Sequence, residues 1–182
     1  DLIDFQGNTG GKVNNKAGGH MEGSRHAVTG DHAVTVVNDG TMIGRNGSAV
    51  NIDNDGSEAD KVFITNRGTM EGRSAELADS DGDAIDVDGL AQILNYGRIS
   101  GLGHQGYHDG EPNISEGIAI GGGTILNYGA NAVIYGYGPH RLHRRRTSAV
   151  RHLPQRPRRP LHQGRAPRVT PALTVAGRRH CR

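Results

Sequence analysis

The sequence predicts an all-β fold: a right-handed parallel β-helix of stacked repeat units, followed by a disordered basic C-terminal tail. One phrase recurs several times before residue 138, and apolar residues alternate within it. Glycine is abundant, with 29 residues in a chain of 182, and 27 of them precede Pro139. Glycine at this density excludes a largely helical fold and suits short strands joined by tight corners. Repeats with a period of roughly 20 to 50 residues are typical of stacked architectures.

The phrase reads apolar, any residue, Asn, any residue, Gly, any residue, apolar, any residue, Gly. It occupies residues 36–44, 64–72 and 93–101, and a stretched copy occupies residues 125–136. A degraded copy at residues 15–23 keeps the Asn and the final Gly with two residues added. The asparagines of the clearer copies are separated by 28, 29 and 32 residues; they are Asn38, Asn66, Asn95 and Asn127. Each copy therefore marks one repeat unit.

A second phrase precedes the first in three of the units, at residues 49–52, 84–87 and 117–120. Apolar residues alternate in both phrases, which is the period of a strand. A unit of two or three such strands cannot bury its apolar side alone, whereas stacking equivalent strands about 4.8 Å apart does. The predicted inward ladders are Val36, Ile64, Ile93 and Ile125 in one strand and Met42, Met70 and Ile99 in the next.

The recurring asparagines are predicted to lie at corners between strands. Asn is among the few non-glycine residues that tolerate left-handed backbone angles, and its amide can bond to its neighbours. The Gly two residues later lets the chain turn without a Cβ clash. Longer corner loops are predicted at residues 53–60 and 100–112, and such insertions usually project from one face of a stack.

Two other β architectures compete with this interpretation. A meander of hairpins favours Asn-Gly turns, whereas this phrase has Asn-x-Gly in a unit too long for two strands. A propeller blade needs four strands and usually carries aromatic signatures. Tryptophan is absent from the chain. The parallel β-helix is therefore the preferred fold.

The composition divides the chain into a repeat region, residues 1–138 with clear units over 31–138, and a tail, residues 139–182. The repeat region has 8 Lys and Arg against 19 Asp and Glu, a formal charge of −11. The tail has 13 Arg, no acidic residue and 6 of the 7 prolines. The only cysteine, Cys181, lies in the tail and excludes an intramolecular disulfide.

Three hypotheses account for the tail. A basic arm would bind nucleic acid or an anionic surface through charge alone, although the tail lacks aromatic residues for base stacking. A solvated linker would have no partner. A shifted reading frame of GC-rich DNA would give Arg, Pro, His and Ala in excess. We favour the third hypothesis because the repeat stops abruptly after residue 138; nucleic acid is a partner only if the tail is genuine.

Acidic residues are dense over residues 79–89, which is the strongest candidate for a cation site. Carboxylates in such density suit a hard cation such as calcium. An EF-hand loop that begins at Asp79 fails because Ala84 stands where Gly is required, and the glycine-rich nonapeptide repeat of a calcium β-roll is missing. We interpret the segment as a solvated corner, with Asp86 and Asp88 on the outward side of a strand.

Catalytic chemistry is weakly supported. Asp53 and Asp86 would have to meet on one face to hydrolyse a glycan with two carboxylates. His104 and His108 share one loop, but two histidines are a weak metal signal. The triple glycine at residues 121–123 precedes a strand and not a helix, so it does not predict a phosphate site. The sequence therefore predicts no catalytic, cofactor-binding or metal-binding residue and no cofactor.

Residues 82–90, 94–101 and 116–129 resemble the passenger repeats of bacterial autotransporters. The resemblance covers residues 31–138 and, weakly, 12–30. It implies a surface-displayed or secreted segment from a Gram-negative bacterium, acting as a structural stalk or adhesin. Its expected partners are a glycan or protein on a cell surface and an outer-membrane β-barrel of the same polypeptide.

Two departures from the family accompany the resemblance. No signal peptide opens the sequence, and residues 139–182 show none of the alternating segments of a barrel. The chain is accordingly expected to be a fragment. A glycan-cleaving β-helix enzyme and a nucleic-acid or anionic-surface binder are the alternative functions.

Overall fold

The computed structural model describes residues 1–7, 10–74, 82–103, 107–108, 111–112, 114–137 and 173–176. Within these ranges all regular secondary structure is β, as the sequence predicts. The strands of the repeat region form five repeat units, over residues 3–23, 28–44, 50–74, 85–102 and 118–135. No helix in the described ranges is long and apolar enough to cross a membrane.

Equivalent strands of successive units pair in parallel and form three columns. The first column is β1 (Ile3–Phe5), β4 (Val28–Gly30), β8 (Val50–Ile52) and the first halves of β11 (Ile85–Asn95) and β15 (Ile118–Asn127). The second is β2 (Gly11–Asn15), β5 (Val34–Asn38), β9 (Val62–Asn66) and the second halves of β11 and β15. The third is β3 (His20–Gly23), β6 (Thr41–Gly44), β10 (Thr69–Ser74), β12 (Arg98–Leu102) and β16 (Val133–Tyr135). Because these pairs are parallel, the hairpin meander is wrong for the repeat region.

The register places like residues of the phrase beside like residues. Both predicted inward ladders are confirmed by pairing, and each gains a member in the degraded first unit. The members are Val13, Val36, Ile64, Ile93 and Ile125, and Met21, Met42, Met70, Ile99 and Ile134. The central members are fully buried, while Met21, Ile125 and Ile134 at the ends are partly buried. The apolar core is therefore a narrow aliphatic column that follows the stack.

The recurring asparagines form a buried amide ladder. The side-chain Nδ2 of each donates to the Oδ1 of the next, from Asn15 to Asn127, at 2.8 to 2.9 Å. Asn38, Asn66 and Asn95 are fully buried. Each is the last residue of its strand, so the backbone is extended there. The predicted bonding of the amide to its neighbours is confirmed, because each Nδ2 also donates to the carbonyl of the glycine two residues later, at 3.0 to 3.2 Å.

Three glycines that stand two residues after a ladder asparagine lie against the unit below: Gly40, Gly68 and Gly97. A Cβ at Gly68 would fall well inside contact distance of the carbonyl oxygen of Gly40, and one at Gly97 would meet that of Gly68. Those carbonyl groups accept hydrogen bonds from Thr69 and Arg98 of the next unit at 2.8 and 2.9 Å. The prediction that glycine avoids a Cβ clash is confirmed, and the clash is with the neighbouring unit.

Four short strands complete the structure. β7 (Asn46–Gly47) pairs antiparallel with β10, and β13 (Tyr107–His108) pairs antiparallel with β14 (Glu111–Pro112) inside a predicted corner loop. β17 (Leu173–Ala176) pairs antiparallel with β15. The disordered-tail prediction is therefore wrong for these four residues, and the remainder of 139–182 lies outside the described residues.

Candidate functional site

The residue that follows each ladder asparagine belongs to an outward column, which we call the corner column: Lys16, Asp39, Arg67, Tyr96 and Tyr128. Asp39 is half-buried and the other four are exposed. The backbone fixes it, because the N–H groups of Asp39, Arg67, Tyr96 and Tyr128 each donate to the carbonyl of the ladder asparagine one unit below, at 2.7 to 2.8 Å. The same hydrogen bond recurs at four steps of the stack. The corner column is thus a rigid outward row.

Side chains of the corner column contact one another in sequence. Arg67 Nη1 lies 3.0 Å from Asp39 Oδ1, and its guanidinium carbon lies 5.9 Å from the ring centroid of Tyr96. The rings of Tyr96 and Tyr128 are stacked, with centroids 5.6 Å apart and planes inclined by 18°. Tyr96 therefore lies between a cation and a second aromatic ring, both favourable partners for its faces.

The aromatic end of this column is well exposed. Tyr96 and Tyr128 keep 43% and 42% of their surface accessible. Four other large apolar or aromatic side chains between residues 114 and 137 are exposed as well: Ile114, Val133, Tyr135 and Tyr137. Exposed aromatic residues are enriched at protein interaction sites. A binding surface at this end of the stack is the arrangement that the geometry supports best.

The loop at residues 53–60 joins three units and does not project freely. Asp60 Oδ1 accepts the amide of Ala33 in unit 2 at 2.7 Å, and Oδ2 accepts that of Asp55 at 3.0 Å. Asn54, which is buried, donates to Leu90 O and accepts from Gly89 N in unit 4. The backbone amides, with nearby His32, lower the pKa of the Asp60 carboxyl below its ordinary value, although burial alone would raise it. The loop is thus a clamp between units.

The acidic segment is only partly a solvated corner. Asp79 and Asp81 lie outside the described residues, but Asp83 is buried and its Oδ1 accepts the amide of Glu116 at 2.5 Å. For Asp83 the prediction is wrong, because the carboxylate links units 4 and 5. Asp86 and Asp88 lie on the outward side of β11, as predicted.

Strand pairing does not place a second carboxylate directly beside Asp86. Its lateral neighbours are Asn51 and Ala119. Asp53 accepts a hydrogen bond from Asn51 Nδ2 at 3.3 Å. Among the described residues no group of three or more His, Cys, Asp or Glu side chains is arranged to hold a metal ion.

His26 is the buried histidine among those whose side chains the structure describes. It is buried under the loop of Gly47, and its Nδ1 accepts the amide of Ser48 at 2.9 Å. Burial, with help from Arg25 and the N-terminal amino group, lowers its pKa to about 4. His20 and His32 instead lie near Glu22 and Asp60 at the surface. The side chains of His104 and His108 lie outside the described residues.

The corner column is not among the features predicted from the sequence, although the phrase carries its signal. Tyr96 and Tyr128 occupy the same position of the phrase, and parallel stacking in register brings such positions together. That position was treated as variable because its residue type changes from Lys to Asp to Arg to Tyr. In the structure the change itself is informative, since neighbours in the column are chemically complementary.

Comparison of the chain with protein-family models, curated proteins and solved structures finds no match.

Proposed function

We propose that the repeat region is a right-handed parallel β-helix and that the chain is a segment of a bacterial autotransporter passenger, acting as a structural stalk or adhesin. The observation that carries this proposal is the pairing of each phrase with itself through five units. A stack of this kind extends by adding units, and each unit adds about 4.8 Å of length. Parallel pairing in three columns ties each unit to the next along its strands, and such resistance to bending is what a stalk needs.

The adhesive role is assigned to the corner column. The faces of Tyr96 contact Arg67 and Tyr128, so a ligand would meet ring edges and hydroxyl groups, together with the guanidinium of Arg67. These groups hydrogen-bond to the hydroxyl and carboxylate groups of glycans and proteins. The proposed partner is a glycan or protein on a cell surface, and the proposed location is the exterior of a Gram-negative bacterium.

The adhesive role is tested with the purified full chain on immobilised glycans and extracellular proteins. We expect at least one partner to bind the chain and to lose most of that binding in the double variant Tyr96→Ala/Tyr128→Ala. Phe63→Ala is the matched control. Phe63 is as exposed as Tyr96, but it lies in the second column of strands and outside the corner column. If the unchanged chain binds none of these partners, the adhesive role is wrong and the stalk role alone remains. Cleavage of a glycan that Asp86→Asn abolishes would favour the enzyme instead.

The proposed location is tested separately by display. The chain is placed between a secretion signal and an outer-membrane barrel in a Gram-negative host, and intact cells are treated with protease. We expect the chain to be cleaved on intact cells. Retention inside the cell would contradict a passenger role, whatever the binding assay shows.

A further inference from the structure

The fifth unit ends the stack of described strands, and part of its edge is covered by the tail. β15 pairs with β11 on one side. On the other side β17 pairs with it in the opposite direction, over Gly122–Ile125, with Gly122 opposite Ala176 and Ile125 opposite Leu173. We propose that β17 is an edge cap, which prevents a second copy of the chain from adding to the stack.

An uncovered edge of β15 would readily pair with strands of other molecules. The N–H and C=O groups of β15 that point away from β11 need partners, and an open sheet edge recruits strands from other molecules. Each unit pairs in parallel register with a unit of almost the same phrase. Unit 5 of one copy is therefore complementary to unit 1 of another, whose β2 has one paired side among the described strands.

Such a contact would not close on itself. The two surfaces lie at opposite ends of the stack, so pairing them is heterologous and generates an open filament. β15 has ten residues, against three in β16, so it offers the longest hydrogen-bonding edge of the fifth unit. β17 pairs with four of those ten residues, Gly122–Ile125, and so covers part of the surface on which a filament would grow.

β17 is suited to cover an edge and not to extend it. Its direction is opposite to that of every repeat strand paired with β15, so a parallel unit cannot follow it in the same register. It has four residues, with Pro171 before it and Arg178 and Arg179 after it. Short length, proline and positive charge are the features with which natural proteins protect an edge strand.

The capping role is tested in the full chain with Val175→Pro, which removes a backbone donor from β17. Val150→Pro is the matched control, because it introduces the same residue into the tail outside β17. We expect Val175→Pro to raise the exchange rate of the outward amides of Gly122–Ile125 about tenfold. We also expect it alone to form concentration-dependent assemblies in sedimentation velocity, while the unchanged chain and Val150→Pro remain monomeric.

Three outcomes would overturn the cap. Equal exchange at residues 122–125 in the two variants would mean that β17 does not protect β15. Faster exchange in Val175→Pro without assembly would mean that the covered edge is not a site of association. Assembly of the unchanged chain to the same extent would show that β17 fails to prevent it. None of these results depends on whether the protein is an adhesin.

Discussion

At the scale of single residues, Asn66 shows how the sequence specifies its register. Its Nδ2 donates to Asn95 Oδ1 at 2.9 Å, and its Oδ1 accepts from Asn38 at 2.8 Å. The same nitrogen lies within 3.1 Å of Arg98 O and 3.2 Å of Gly68 O. A slip of one residue in the pairing would leave this buried amide without its partners, at a large cost. The ladder therefore fixes which residue of one unit lies beside which residue of the next.

Asn66→Ala is expected to lower the free energy of unfolding by about 2 kcal/mol or more, because it removes a buried link of the ladder together with the bonds of Asn66 Nδ2 to Gly68 O and Arg98 O. Asn127→Ala is the control: Asn127 ends the ladder, is partly exposed, and should cost about 1 kcal/mol. The measurement is denaturant unfolding followed by circular dichroism. Equal costs for the two variants would contradict a cooperative ladder.

The two sides of β11 give a second prediction. Ile93→Asp is expected to cost about 3 kcal/mol or more, because it introduces an unpaired charge at a fully buried position. Asp86→Asn keeps the size of an outward side chain and should change stability by less than about 1 kcal/mol. Thermal unfolding of both variants compares them. If the two variants lose similar amounts of stability, the assignment of Ile93 to the buried side and Asp86 to the outward side of β11 is wrong.

His26 makes the fold sensitive to acid. Its pKa is about 4 in the folded protein, below the ordinary 6.5, so the unfolded chain binds its proton first as the pH falls. Stability from the neutral ring is complete above pH 6.5 and is lost as the pH falls from 6.5 to 4. Thermal unfolding at a series of pH values should show this loss for the unchanged chain.

His26→Asn provides the control, because an amide oxygen can accept the Ser48 N–H but does not titrate in this range. We expect its melting temperature to change less than that of the unchanged chain over the same pH interval. If both proteins lose the same number of degrees, other groups cause the acid sensitivity.

At the scale of elements, the corner after each ladder asparagine is built by contact between units and not by local turn preferences.

The sequence predicted β5, β6, β9, β10, β11 and β12 correctly, because their alternation extends over several residues and recurs. β1 and β4 were not predicted, because their residues were not recognised as copies of a phrase. β8 is equally short and was predicted, because its phrase recurs at residues 84–87 and 117–120. The amide bonds between asparagines of successive units were not predicted, because partners in another unit are invisible to a local argument. The corner column was missed for the same reason.

A substitution at Gly68 tests whether contact between units shapes the corner. Gly68→Ala is expected to cost about 2 kcal/mol, because the added Cβ would overlap the backbone carbonyl of Gly40, which cannot move without disturbing the unit below. Arg67→Ala changes the adjacent exposed residue and should cost less than about 1 kcal/mol. Urea unfolding of the two variants measures the difference. A tolerated Gly68→Ala would mean that the units are free to separate at the corner.

At the scale of the whole molecule, stability is carried from unit to unit. Each buried ladder residue pairs with the equivalent residues above and below it, as Met70 does with Met42 and Ile99. In such a linear stack the free energy is approximately a sum of unit terms and nearest-neighbour interface terms. The ends have one interface and the middle has two. Protection against local opening should therefore be greatest in units 2 to 4 and least in the terminal units.

Met70→Ala in unit 3 tests this nearest-neighbour description. Removing a fully buried side chain is expected to cost about 3 kcal/mol, and Ile134→Ala at the partly buried end of the same ladder about 1 kcal/mol. Hydrogen exchange read by mass spectrometry should show that Met70→Ala weakens protection in units 2, 3 and 4, whereas Ile134→Ala weakens only units 4 and 5. A uniform loss across all five units in either variant would mean that the stack unfolds as one cooperative body. The nearest-neighbour description would then be wrong, because distant units would be coupled as strongly as adjacent ones.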